Sequence, residues 1–100
     1  MKPLETPLQI GGHSYKTSYD STIAVTENRQ GQHYANSSEI KIFEFMDEPG
    51  KTITWLHELM EAISEVYCNR ELEHRHIEQI AQALFQILPQ IEAKIEWNNY

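Results

Sequence analysis

The period of the apolar positions changes near residue 50. Before it, short alternating runs are broken by turn residues. After it, apolar residues recur at helical spacing. Leu8-Gln9-Ile10 and His13-Ser14-Tyr15-Lys16-Thr17 flank Gly11-Gly12. This predicts a β-hairpin, because glycine reaches the positive φ that tight turns need. Thr22-Ile23-Ala24-Val25-Thr26 is a second β-branched run, and the polar turn cluster Glu27-Asn28-Arg29-Gln30-Gly31 comes after it. Gln32-His33-Tyr34 is expected to pair with the next strand across Ala35-Asn36-Ser37-Ser38. That next strand, Glu39-Ile40-Lys41-Ile42-Phe43-Glu44-Phe45, is the clearest in the chain. Ile40 and Ile42 share one of its faces, Phe43 and Phe45 the other. Either both faces are covered or the register breaks near Phe43.

Asp47-Glu48-Pro49-Gly50 stops that strand. A helix is expected from about Lys51 to Tyr67. Ile53, Leu56, Met60, Ile63 and Tyr67 form its stripe, widened by Leu59, Ala62 and Val66. Asn69-Arg70-Glu71-Leu72-Glu73 is the connection. A second helix is expected from about His74 to Leu88, with Ile77, Ile80, Ala81, Leu84, Ile87 and Leu88 as its stripe. Pro89 kinks or ends it, and Ile91 with Ile95 carries helical spacing on to about residue 97. A short connection makes the helices antiparallel. The expected fold is therefore one α+β domain: a small, mostly antiparallel sheet from residues 8–45, covered on one face by two antiparallel helices.

The chain has 100 residues, the size of one domain. Fifteen acidic against eight basic residues give a net charge of −7. No basic stripe is present, which argues against nucleic acid as a partner. Cys68 is the only cysteine, so neither an internal disulfide framework nor a cysteine-rich zinc site is available. Together with an N-terminus that lacks an apolar leader, this makes the cytoplasm the expected compartment. No apolar run approaches the length that spans a bilayer, so no membrane role is expected.

The chemistry concentrates in His57-Glu58-Leu59-Met60-Glu61. His57 and Glu61 are four residues apart and project from one side of the helix. That spacing brings two ligand heads within reach of one ion. Glu58 is the neighbour that, in helices of the H-E-x-x-H kind, takes a proton from water rather than binding metal. Here Glu61 stands at the second ligand position. Zinc accepts a carboxylate oxygen there, and a carboxylate-bearing set also suits iron or manganese. A third ligand is needed. His74 leads, because it heads a helix that must return along the first. His76 is the alternative, with Glu78 and Glu65 behind it.

The stretch Ile53-Thr54-Trp55-Leu56-His57-Glu58-Leu59-Met60-Glu61-Ala62-Ile63, then Glu71-Leu72-Glu73-His74 and Ala83-Leu84-Phe85-Gln86-Ile87-Leu88, resembles small phage and prophage proteins related to the ImmA/IrrE metallopeptidases. Ile10-Gly11-Gly12 and Glu39-Ile40-Lys41-Ile42 fit the front half of the same pattern. The resemblance runs from about Leu8 to Leu88 and is sharpest from Leu56 to His74. It implies a minimal zincin-like domain, with His57, Glu61 and His74 as metal ligands and Glu58 as catalytic base. The activity implied is zinc-dependent hydrolysis of a peptide bond, with a peptide or protein as substrate. Glu61 replaces the family's commoner histidine.

Plainer readings stand beside these. Without a metal, His57, Glu58, Glu61 and Glu65 form a solvated helix face. That face carries like charges at i,i+4, which is mildly destabilising and which a cation relieves. On this reading the chain is a non-catalytic interaction protein with a structural metal or none. His13 and His33 are expected to face water. Cys68 is expected as a partly buried small hydrophobe, and Trp55 and Tyr67 as core or rim aromatics. Trp97 and Tyr100 would anchor the tail or a second subunit.

Overall fold

The computed structural model describes residues 2–3, 6–26 and 29–92. The Glu27-Asn28 part of the expected turn, the helical spacing through Ile95, and the tail aromatics Trp97 and Tyr100 lie outside the described residues.

β1 (Leu8–Ile10) and β2 (His13–Asp20) form the expected antiparallel hairpin, with Leu8 opposite Tyr15 and Ile10 opposite His13. Gly11 turns it at φ 60°. The same residue lets the turn dock on the first long helix. A Cβ at Gly11 would lie 2.6 Å from Val66 Cγ1, and its N–H donates to Tyr67 Oη at 2.8 Å.

The second β-branched run is not a strand. Ile23–Thr26 is a single helical turn, α1. Asp20 decides this locally: its Oδ1 accepts from the Thr22 N–H at 2.7 Å and from the Thr22 hydroxyl at 2.8 Å. This capping turn breaks the extended chain, and Ile23 drops into the core. The Thr22 hydrogen bonds, the backbone one first, hold the Asp20 carboxyl below its ordinary pKa.

β3 (Gly31–Tyr34) and β4 (Glu39–Phe43) make a second antiparallel hairpin across Ala35–Ser38. β4 then lies parallel to β2, with Lys16 opposite Glu39 and Asp20 opposite Phe43. The sheet order is β1-β2-β4-β3. Two of its three pairings are antiparallel. The parallel one arises because the chain crosses over through α1, runs out along the edge as β3 and returns inside it as β4. β4 ends at Phe43, and Phe45, in the turn beyond it, is 70% exposed. The register therefore breaks at Phe43, and Ile40 and Ile42 alone carry the strand into the core.

α2 (Glu48–Tyr67) begins a turn before the expected Lys51. Asp47 is its N-cap, accepting from the Gly50 N–H at 2.8 Å, and Pro49 sits in the first turn. The segment expected only to stop a strand therefore also starts a helix. Trp55, Leu56 and Ala62 join Ile10, Tyr15, Ile40 and Ile42 in the core. Trp55 Nε1–H donates to Thr17 Oγ1 at 3.0 Å, pinning α2 to β2. Tyr67 is exposed and Cys68 partly buried.

α3 (His74–Glu92) runs antiparallel to α2, burying Ile77 and Ala81 and packing Leu84, Phe85 and Leu88 on the core. It continues through Pro89, beyond the Leu88 boundary. No described helix is long and apolar enough to cross a membrane.

Candidate metal centre

The connection between α2 and α3 decides where His74 falls. Ser64 is buried, and its carbonyl accepts from the N–H groups of both Cys68 and Arg70 at 3.0 Å. Its hydroxyl accepts from the Leu72 N–H at 3.4 Å. Asn69 and Arg70 both take left-handed backbone angles, φ 51° and 62°. These reverse the chain within a few residues, and α3 starts directly beside the third turn of α2.

His57 and Glu61 project from the α2 face toward that start, and His74 is the first residue of α3. Each offers one donor atom, and the three atoms lie within 4.8 Å of one another. The His57 and His74 rings pack edge to face at 4.7 Å between centroids, and His74 Nδ1 lies 3.8 Å from Glu61 Oε1. His57 and Glu61 are half-buried, whereas the His74 side chain is 71% exposed. The pair named from spacing, His57 and Glu61, meets His74, the leading candidate for the third position. His76, two residues along α3, is exposed and outside the cluster. Glu78 lines the cleft wall without joining it.

The donor set fits a divalent transition ion. Two imidazoles and a carboxylate are the mixed nitrogen and oxygen ligands that zinc, iron and manganese accept. Donors at zinc distance in a tetrahedral site lie about 3.4 Å apart, so modest side-chain rotation closes the 4.8 Å spread. The cluster opens on a cleft of about 590 Å³, bounded by α2, α3 and the edge strand β3. One side of an ion there would stay accessible.

Glu58 lines the same cleft. Its side chain is only 12% exposed, so it is not the solvated group of the plainer reading. Gly31 on β3 lies against it: a Cβ there would meet Glu58 Cγ at 3.1 Å and Thr54 Cγ2 at 2.5 Å. Absence of a side chain is what lets β3 settle on α2.

His33, expected to face water, does not. Its ring is 18% exposed and lies between two carboxylates. Nε2–H donates to Glu65 Oε2 at 2.8 Å, and Nδ1 lies 3.9 Å from Glu58 Oε1. Glu65 also pairs with Arg70. The Glu58 carboxylate, joined by Glu65 and opposed by burial, raises the His33 pKa above its ordinary 6.5. The His33 hydrogen bond, with Arg70 adding and burial opposing, lowers that of Glu65 below 4.5. One signal for His33 was present in the sequence. α2 carries Glu58, Glu61 and Glu65 on neighbouring turns with no basic residue in its last turn, so counter-charge had to come from elsewhere.

No family model, curated protein or solved structure matches the chain.

Proposed function

We propose that this protein is a metal-dependent hydrolase of the metallopeptidase type, in which His57, Glu61 and His74 hold the ion and Glu58 is the general base. The observation that carries the proposal is the meeting of those three donors within 4.8 Å at the edge of an open cleft. The resemblance of the Leu56–His74 span to the ImmA/IrrE-type proteins of phages and prophages supports the same assignment. Bound zinc would supply Lewis-acid polarisation of a peptide carbonyl and acidify a water molecule. Glu58 takes the proton of the attacking water on its carboxylate and returns it to the leaving amine nitrogen. His57 and Glu61 are fixed one turn apart on a helix packed into the core, so their backbone positions are preorganised, and side-chain rotation brings their heads and that of exposed His74 together. The open cleft suits an extended peptide better than a compact small molecule.

Glu58→Gln tests the catalytic part. The variant is expected to retain zinc, measured by elemental analysis of protein purified without a nickel column. Its peptide hydrolysis should fall by about 10²–10⁴-fold, the usual contribution of a general base. Unchanged hydrolysis would remove Glu58 from the mechanism.

One observation favours a second, non-catalytic reading. The cluster joins the head of α3 to the middle of α2, the place where a metal would staple the two helices. On that reading Glu58→Gln leaves both the metal and the biological effect intact.

A further inference from the structure

His33 lies outside the proposed donor set, yet the fold places a carboxylate at each of its ring nitrogens. Arg70, Glu65, His33 and Glu58 form a continuous polar chain. It starts in the α2–α3 connection, passes through the edge strand β3 and ends on the proposed base. Gly31 sits two residues before His33, on the same face of β3. Its backbone covers Glu58 from one side, where a Cβ would come within 3.4 Å of Oε2. Glu58 is therefore enclosed by a glycine and an imidazole. A largely buried carboxylate is costly without a compensating partner. Here the partner stands at 3.9 Å, an ion-pair separation rather than a hydrogen bond. The carboxylate is steered by the ring without having its oxygens saturated.

We infer that His33 is the positioning residue for Glu58: anchored through Nε2 by Glu65, its ring presents Nδ1 to the Glu58 carboxylate and holds it along the cleft wall. The inference rests on the reading of Glu58 as base. The side-chain contact it invokes is made between protein atoms alone.

The ring nitrogens of His33 report on this directly, in NMR spectra of the full ¹⁵N-labelled chain with and without added zinc. Glu58→Gln is expected to shift the His33 Nδ1 resonance, and Glu65→Gln the Nε2 resonance. Zinc alone is expected to shift Nδ1 in the wild type and to have no such effect in Glu58→Gln, a coupling that a merely structural histidine would not show. An Nδ1 resonance unmoved in folded Glu58→Gln overturns the inference. Should that variant fail to fold, His33→Gln is read instead at the Glu58 carboxyl carbon of ¹³C-labelled chain, and an unmoved signal there has the same force. Failure of the metal reading looks different. Zinc would then leave the His57 and His74 rings unshifted, while the Nδ1 response to Glu58→Gln persists and still supports the role of His33.

Discussion

Three carboxylates stand at positions 58, 61 and 65 of α2, and each has a different neighbourhood. Glu65 is held by His33 and Arg70, Glu58 faces His33, and Glu61 faces His74. His57, Glu61 and His74 were legible as a group because a four-residue helical spacing and a short returning connection can both be read in a linear sequence. The surroundings of His33 were not, since they depend on which strand lies beside α2. The His33–Glu65 pair makes stability depend on pH. His33 has a raised folded pKa, so its contribution is full below the unfolded value near 6.5 and is lost as pH rises through the folded pKa. Glu65 has a lowered one, so its contribution is present above about 4.5 and is lost as pH falls through the folded value. The stability gap between wild type and His33→Asn should therefore be widest between about pH 4.5 and 6.5 and narrow on both sides. Denaturant melts across pH check this, and a gap that widens above pH 8 would be inconsistent with it.

At the level of elements, the two helices and both hairpins were legible, and the failures have local causes. Thr22–Thr26 has strand-like composition, but the Asp20 capping turn sets its backbone and yields α1. Asp47 and Pro49 were visible as strand breakers, whereas their capping role needs the geometry of the Gly50 N–H. One glycine and one serine carry the site's architecture. Gly31→Ala would put a methyl 2.5 Å from Thr54 Cγ2, so a loss of about 1–3 kcal/mol is expected from overpacking, with β3 displaced from Glu58. Ser64→Ala removes the hydroxyl that accepts from the Leu72 N–H. It should cost about 1 kcal/mol and loosen the connection that sets His74 in place. Chemical denaturation measures both, and a neutral Gly31→Ala would mean that β3 does not lie on α2 as described.

For the whole molecule, the α+β class was legible in the change of period near residue 50, as was a mostly antiparallel sheet, and the parallel β2–β4 pair was not. A parallel β2–β4 pair requires β4 to insert between β2 and β3, a choice made by tertiary packing, since the hairpin signals constrain only neighbours in sequence. The consequence is an edge strand packed on α2 that walls the cleft onto which the cluster opens. A cation held there joins both long helices, so it should act on global stability. At zinc concentrations 100-fold above Kd the gain is about 2.7 kcal/mol. For a domain of this size that corresponds to roughly 10–20 °C in Tm, reversed by a chelator.

The most direct measurement is a calorimetric titration of zinc into chelator-treated wild type, His57→Ala and His74→Ala. The donor geometry predicts saturable binding of one ion per chain in the wild type. In each variant the affinity should fall by more than about 100-fold, since losing even an outer partner of a ligand costs 10–100-fold. No saturable binding in the wild type, or equal binding in all three proteins, would contradict the metal centre.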